Sequence, residues 1–488
     1  MGSRRGDLED LEGYATRAMG ASKVPGLAVT VVRDGRAVFA GGFGRRSVRG
    51  RAAVDPDTLF QLASCGKAFT ATAVAMLVDE GRLRWDDPVA DHLPGFRLAD
   101  SMLTAQVTVR DLLTHRTGLP GGDLLWASAQ FDREETLRRL RYLRPAHGLR
   151  ERFQYQNLMY VVAGEVVGTA SGLGYDAFVQ RRIFRRLGMD ASLTNTASLA
   201  RRRNVAEPHA DIRGRVLSIP RWEDPIGSGD GSILATARDL VPWLRLQLGE
   251  GSAGPVRLLR RRTFREMHTL QIPIRADRWE LDFYRVLGER RPSLGYGLGW
   301  FLMDYGGLRV VRHGGGIDGM SCVLTLVPEE RLSVAVLANL EGTLLPEALA
   351  FWIIDRCLGR PERDWTASFL TLLRRERERR NAARRRRAAA RVRGTHPSLP
   401  LKNYVGRYAD DYYGNAIVVH RRARLFLRYG RTFAGPLAHW HYDTFSFQPI
   451  RHPGMPAMLA TFQLNPQGGV EALRLGADPE TIRFVRMP

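Results

Sequence analysis

Lysine is almost missing from this chain. Of its 73 basic residues only Lys23, Lys67 and Lys402 are lysine, and the rest are arginine. Arginine stays protonated at any workable pH, whereas a partly buried lysine can give up its proton and serve as a base. Lys67 stands three residues after a serine, in Ser64-Cys65-Gly66-Lys67, where a titratable amine would have a use. Cysteine is equally scarce: Cys65, Cys322 and Cys357 form an odd set without a Cys-x-x-Cys spacing. That excludes a disulfide framework and a structural zinc site, and it suits a reducing compartment. No run of 18 apolar residues occurs, so no membrane-spanning helix is expected. The start, Met1 to Asp10, carries charge but no apolar core of a leader peptide. A cytoplasmic location is therefore expected, or a periplasmic or secreted one if a leader has been removed.

What is present is ordinary for a globular protein. The 488 residues are 44% hydrophobic and 25% charged, enough for two to three domains with sizeable cores. The net charge of +22 invites a nucleic-acid reading, but much of it is local: Arg374 to Arg393 holds eleven arginines against Glu376 and Glu378. That segment is rich in alanine and free of glycine and proline, so it reads as a solvated helix rather than a binding motif. No specific nucleic-acid contact is expected. A silent binding protein using this helix on anionic surfaces is the alternative of another class.

Leu27–Val32 and Ala37–Ala40 flank the turn dipeptide Asp34-Gly35 and predict a hairpin. A helix is expected over Ala68–Glu80, with Gly81 as its C-terminal stop. Residues 107 to about 287 read as helical and irregular. Strand character returns at Leu308–Arg312, Cys322–Val327 and Leu332–Leu337, followed by a helix from Pro346 to Leu358. The economical assembly is an α/β (α+β) core: one antiparallel sheet built from both ends of this region, flanked by helices, with a helical insertion beside it. Thr395-His-Pro-Ser-Leu-Pro400 marks a boundary. Beyond it, short strands at 404–408, 416–420, 425–429, 444–447, 460–464 and 482–486 predict a separate small antiparallel sandwich or barrel. The expected domains are 1–370, a helical linker 371–398, and 399–488.

Ser64 and Lys67 would be neighbours on one helical face. A serine near a helix N-terminus gains from exposed N–H groups that favour developing negative charge. The apolar run after Lys67 would bury this helix, and a buried amine can accept a proton. Two further clusters join this pair: Tyr155-Gln156-Asn157, and His313-Gly314-Gly315-Gly316 after the strand 308–312. Glycines there let a substrate approach a strand edge, and their amides can form half of an oxyanion hole.

In this order and spacing the three clusters resemble the serine β-lactamase and penicillin-binding-protein superfamily. The likeness is to its class C-like branch of D-alanyl-D-alanine carboxypeptidases, D-aminopeptidases, esterases and CubicO-type hydrolases. It covers roughly residues 8 to 360 and includes Leu112–Pro120, Leu187-Gly-Met189, Ser232–Leu240 and Tyr296–Trp300. The resemblance implies Ser64 as nucleophile, Lys67 as its general base, Tyr155 as proton shuttle to the leaving group and Asn157 as a substrate-orienting group. His313 stands where many relatives have lysine, and Gly315 and Gly316 belong to the same oxyanion strand, with the amides of Ser64 and Gly316 as the hole. Where relatives have Ser-Asp-Asn, this chain has Tyr-Gln-Asn. A largely neutral imidazole holds a substrate carboxylate less firmly than lysine, which argues against β-lactamase activity and for peptidase or esterase activity. The implied reaction is hydrolysis of amides or esters through an acyl-enzyme, with D-amino-acid-containing peptides as the leading substrate class and a carboxylesterase or weak β-lactamase of the same fold as the alternative.

Residues 435–443 resemble the lipocalin-like barrel appended to many such hydrolases. His439 and His441 would share a strand face there, without enough partners for a metal. No cofactor is expected. The expected partner is a small-molecule or peptide substrate, and assembly into a homo-oligomer stays open. Cys65 is expected to point away from Ser64, buried and inert.

Overall fold

The computed structural model describes residues 8–222, 226–227, 229–289, 293–451, 455, 457–476 and 481–488. Met1 to Asp7, part of the start read above for a leader, lies outside the described residues. The chain divides into two compact units, one of residues 1–121 and 144–375, the other of 122–143 and 376–488.

The first unit is built on an eight-stranded sheet: β1 (Gly26–Arg33), β2 (Arg36–Gly44), β3 (Ile272–Pro273), β4 (Leu294–Tyr296), β5 (Phe301–Tyr305), β6 (Leu308–Ile317), β7 (Met320–Val327) and β8 (Leu332–Ala338). Its order is β2-β1-β8-β7-β6-β5-β4-β3, with every neighbouring pair antiparallel. The N-terminal hairpin turns on Asp34 and Gly35, both at positive φ, and joins the C-terminal strands through β1 and β8. β7 and β8 are buried along their whole length, which is why both read as near-continuous apolar runs instead of alternating ones. Helices α1 (Leu11–Ser22) and α7 (Leu345–Cys357) pack with this sheet in one apolar core.

Helix α2 (Lys67–Asp79) is buried on all sides from Lys67 to Leu77. An all-round apolar helix belongs inside a core, and α2 rests there with Phe69 stacked on Trp243, ring centroids 3.6 Å apart. Gly81 follows at φ +72 and lets the chain turn out of the helix. The region read as helical does hold α3 (Val109–Thr114), α4 (Asn157–Ser171), α5 (Ala237–Leu248) and α6 (Arg278–Leu287). It also contributes the two-residue strand β3, too short to show a period, while β4 and β5 follow just beyond it.

The second unit is a closed antiparallel barrel of β9 (Gly406–Asp410), β10 (Gly414–Arg421), β11 (Arg424–Tyr429), β12 (Phe433–His441), β13 (Thr444–Phe447), β14 (Met458–Leu464), β15 (Val470–Gly476) and β16 (Ile482–Arg486), with β16 returning to pair with β9. Closure removes the exposed edges that an open sandwich would leave. The segment 122–143 packs with this barrel. The Gln130 side chain donates to Asn415 O at 3.0 Å and accepts from Asn415 N at 2.8 Å, and Arg431 N donates to Ser128 O at 2.8 Å. Helix α8 (Trp365–Ala389) carries the arginine run. Its start, through Trp365, Phe369 and Leu372, sits in the sheet core, and further on Arg387 donates to Ala457 O at 3.0 Å. A register shift between His439 and His441 breaks the expected alternation. His439 Nε2 instead meets Tyr442 O at 2.9 Å, and His441 Nδ1 accepts from Val392 N at 3.3 Å.

Candidate active site

Ser64 lies in a 3₁₀ turn, Ala63–Gly66, that runs directly into α2. The helix proper starts at Lys67, one residue before the Ala68 expected from the sequence, and the turn ahead of it brings the Ser64 and Lys67 side chains together. Ala63, just before the serine, has φ +45. A non-glycine residue in that region stores of order 1–3 kcal/mol of strain and persists only where its surroundings enforce it. Here the enforcement is visible: the added Cβ of Gly231 would come within 2.9 Å of the Ala63 backbone, and that of Gly315 would overlap the Leu62 carbonyl. The serine turn is wedged between a glycine loop and a glycine strand.

Lys67 is fully buried. Its Nζ lies 2.8 Å from Asn157 Oδ1, 2.7 Å from Asp230 O and 3.2 Å from Ser64 Oγ. The first two partners are acceptors only, so two N–H bonds are committed to them. In the neutral amine the remaining lone pair faces the Ser64 hydroxyl, which can then donate its proton. That is the arrangement a general base requires. Asn157 is placed by α4, whose start is capped by Gln156 accepting from Leu158 N at 2.7 Å.

Tyr155 enters through its ring. The centroid is 5.0 Å from Lys67 Nζ and 4.1 Å from the ring of His115, on which it stacks. His115 is a residue the sequence reading quoted within a motif without giving it a role. It is buried at φ +55 right after α3. Its Nδ1 accepts from Gln156 N at 3.1 Å, and its carbonyl accepts from Gln154 N at 2.7 Å. One histidine therefore fixes the backbone on both sides of Tyr155. Burial, and then the nearby Lys67 and His313, hold its pKa well below the usual imidazole range. The same loop is anchored by buried Asp111, which accepts from Arg116 Nε at 2.5 Å and Arg150 Nη2 at 2.8 Å. The signal for these partners was a buried acid in a capping box, with arginines five and 39 residues on; nothing local in the sequence pairs them.

His313 is buried on β6 and neutral. Burial first, then the Lys67 charge, lower its pKa to about 3. Its Nδ1 contacts Gly314 O at 2.7 Å and its Nε2 contacts Tyr296 OH at 3.0 Å, so the ring donates to the carbonyl and accepts from the phenol. β5 pairs with β6 only as far as Arg312. Residues 313–317 run on past its end beside the Ser64 turn. Gly315 touches that turn, while an added Cβ at Gly316 would meet nothing within 4 Å.

Cys65 is buried, and its side chain meets β6 and β7. Its Sγ donates to His313 O at 3.0 Å and lies 3.5 Å from Cys322 Sγ, which donates to Leu62 O at 2.9 Å. The two thiols tie the serine turn to β6 and β7. Ser64, Tyr155, His313 and Gly314 open into one cavity of about 350 Å³.

Residues 11–355 match the family model described as Beta-lactamase, and residues 390–486 match a domain of unknown function, DUF3471. The chain is 28% identical to an unguisins hydrolase of Aspergillus violaceofuscus, across 96% of this chain and 88% of that one. It is 29% identical to penicillin-binding protein 4 of Amycolatopsis lactamdurans, over 65% and 81%. Among solved structures, the octameric penicillin-binding protein homologue from Pyrococcus abyssi superposes with a TM-score of 0.64 at 24% identity, over 98% of this chain and 100% of that one.

Proposed function

The chain belongs to the Beta-lactamase family of serine hydrolases, and from that premise we propose that it cleaves amide or ester bonds through an acyl-enzyme on Ser64. The observation that carries the reading is the Lys67 amine, committed to two acceptors and facing the serine hydroxyl. Lys67 takes the Ser64 proton as Oγ attacks the acyl carbon. The developing oxyanion is held by the amides of Ser64 and Gly316. The bond to the leaving group then breaks, and the proton reaches the leaving nitrogen or oxygen through Tyr155. Water attacks the resulting ester, with Lys67 or Tyr155 taking its proton, and Ser64 regains its hydrogen as the acid departs. Asn157 orients both the lysine and the substrate amide.

D-amino-acid-containing peptides are the leading substrate class, on the resemblance to the D-peptide-handling branch. Carboxylic esters come next, because the neutral His313, engaged at both nitrogens, offers a substrate carboxylate no charge. Pre-steady-state hydrolysis of an aryl ester and a D-aminoacyl p-nitroanilide tests the reading. Wild type should give a burst of released chromophore, equal to the enzyme present, on at least one of them. Lys67→Arg, which keeps the charge but cannot accept a proton, should abolish the burst. A full burst in Lys67→Arg would refute the base assignment.

A further inference from the structure

The cavity at Ser64 has a wall that none of the three motifs accounts for. Helix α6 lays Trp279 and Phe283 along it, facing Phe301 of β5. At its floor Arg312 and Glu347 form an ion pair at 3.1 Å, with side chains only 14% and 12% exposed. The guanidinium also lies over the Phe283 ring, 5.1 Å from its centroid. Glu347 Oε1 would be 3.8 Å from a Cβ added to Gly314, so this carboxylate stands beside the strand that a substrate would follow. Glu280 of α6 lines the same space.

We infer that this cavity is the leaving-group subsite and that it takes a bulky, apolar, uncharged residue, so that the enzyme cuts at internal or capped positions instead of releasing a free C-terminal amino acid. The inference rests on the acyl-enzyme reading above. The side is set by Tyr155, which lines the cavity and is the group proposed to protonate the leaving atom. The size is set by 350 Å³ between aromatic faces, room for a phenylalanine-sized side chain. The charge preference follows from the floor. Among the described residues lining the cavity, the cation Arg312 is already engaged by Glu347 and Phe283, and Glu347 and Glu280 are both acidic. A leaving-group carboxylate would meet a guanidinium already occupied by Glu347. In Glu280 it would meet a carboxyl whose own charge burial opposes, with its pKa raised to about 7. An amide or an ester brings no charge to bury.

Protection of Ser64 from a small fluorophosphonate tests this without requiring turnover. The competitors are phenylalaninamide, glycinamide and free phenylalanine, each read by the rate of the intact-mass shift. Phenylalaninamide should slow labelling at a concentration about tenfold or more below that needed with either other compound. Phe283→Ala should erase its advantage over glycinamide, and Glu347→Gln should narrow the gap to free phenylalanine. Equal protection by all three, preference for the free acid, or no protection by any overturns the inference. Unprotected labelling shows that each variant retains a folded site. If wild type does not label at Ser64 at all, the acyl-enzyme reading fails first, which separates the two failures.

Discussion

Two neighbouring glycines on β6 should answer an added methyl group in opposite ways. At Gly315 a Cβ would overlap the Leu62 carbonyl oxygen, sit 2.6 Å from Cys322 Sγ and lie 3.3 Å from Ala63 Cβ. Backbone and a buried sulfur cannot step aside as a flexible side chain can, so the serine turn itself must move. Overpacking of this kind costs about 1–3 kcal/mol, which for a unit of this size lowers Tm by about 1–4 °C. The displaced segment, Leu62–Ala63, leads straight into Ser64, and a shift approaching 1 Å there can cost as much as about 100-fold in rate. At Gly316 the same methyl meets nothing within 4 Å, and alanine keeps the backbone amide proposed for the oxyanion. Gly316→Ala should therefore stay within about 1 kcal/mol of wild type in stability, with activity near normal. Differential scanning fluorimetry and fluorophosphonate labelling rates on the two variants make the comparison. Equal behaviour of Gly315→Ala and Gly316→Ala would refute the claim that close contact with the strand sets the serine turn.

Acid should destabilise the first unit steeply. His313 and His268 are buried and neutral with pKa values pushed down to about 3, chiefly by burial, against 6.5 when exposed. Between those values unfolding takes up a proton at each ring, so stability falls as pH drops from 6.5. For His313 alone the loss reaches about 4–5 kcal/mol by pH 3. Urea unfolding from pH 7 to pH 4 should show this, and His313→Gln should reduce the pH slope by close to one proton; an unchanged slope would contradict a neutral His313. The three thiols are buried and in no disulfide, so Ellman's reagent should find almost none in the native protein and three after denaturation. Rapid native labelling of Cys65 or Cys322 would mean that the serine turn opens.

Much of the candidate site was legible because its spacing is local. Ser64 and Lys67 are three residues apart, and Asn157 opens a helix whose apolar run is plain in the sequence. The hairpin around Asp34-Gly35 and the apolar strands β7 and β8 were equally readable, since each carries its own turn or burial signal. What escaped is non-local. His115 earns its place from contacts with Gln154 and Gln156 some 40 residues later, and Asp111 from Arg150. Strands β3 and β4 are two and three residues long, too short for any period. Segment 122–143 pairs with a barrel nearly 300 residues away through Gln130 and Asn415, which no spacing could announce. The contacts of Cys65 were not readable either, because its partners His313 and Cys322 lie on β6 and β7.

The central claim is a covalent intermediate on Ser64, and intact-protein mass after incubation with a fluorophosphonate, and separately with a penicillin, tests it most directly. The wild type should gain the mass of one phosphonyl group, with little or no penicilloyl adduct given the neutral His313, and Ser64→Ala should gain neither. A phosphonyl adduct that forms as readily on Ser64→Ala would place the nucleophile elsewhere and contradict the account.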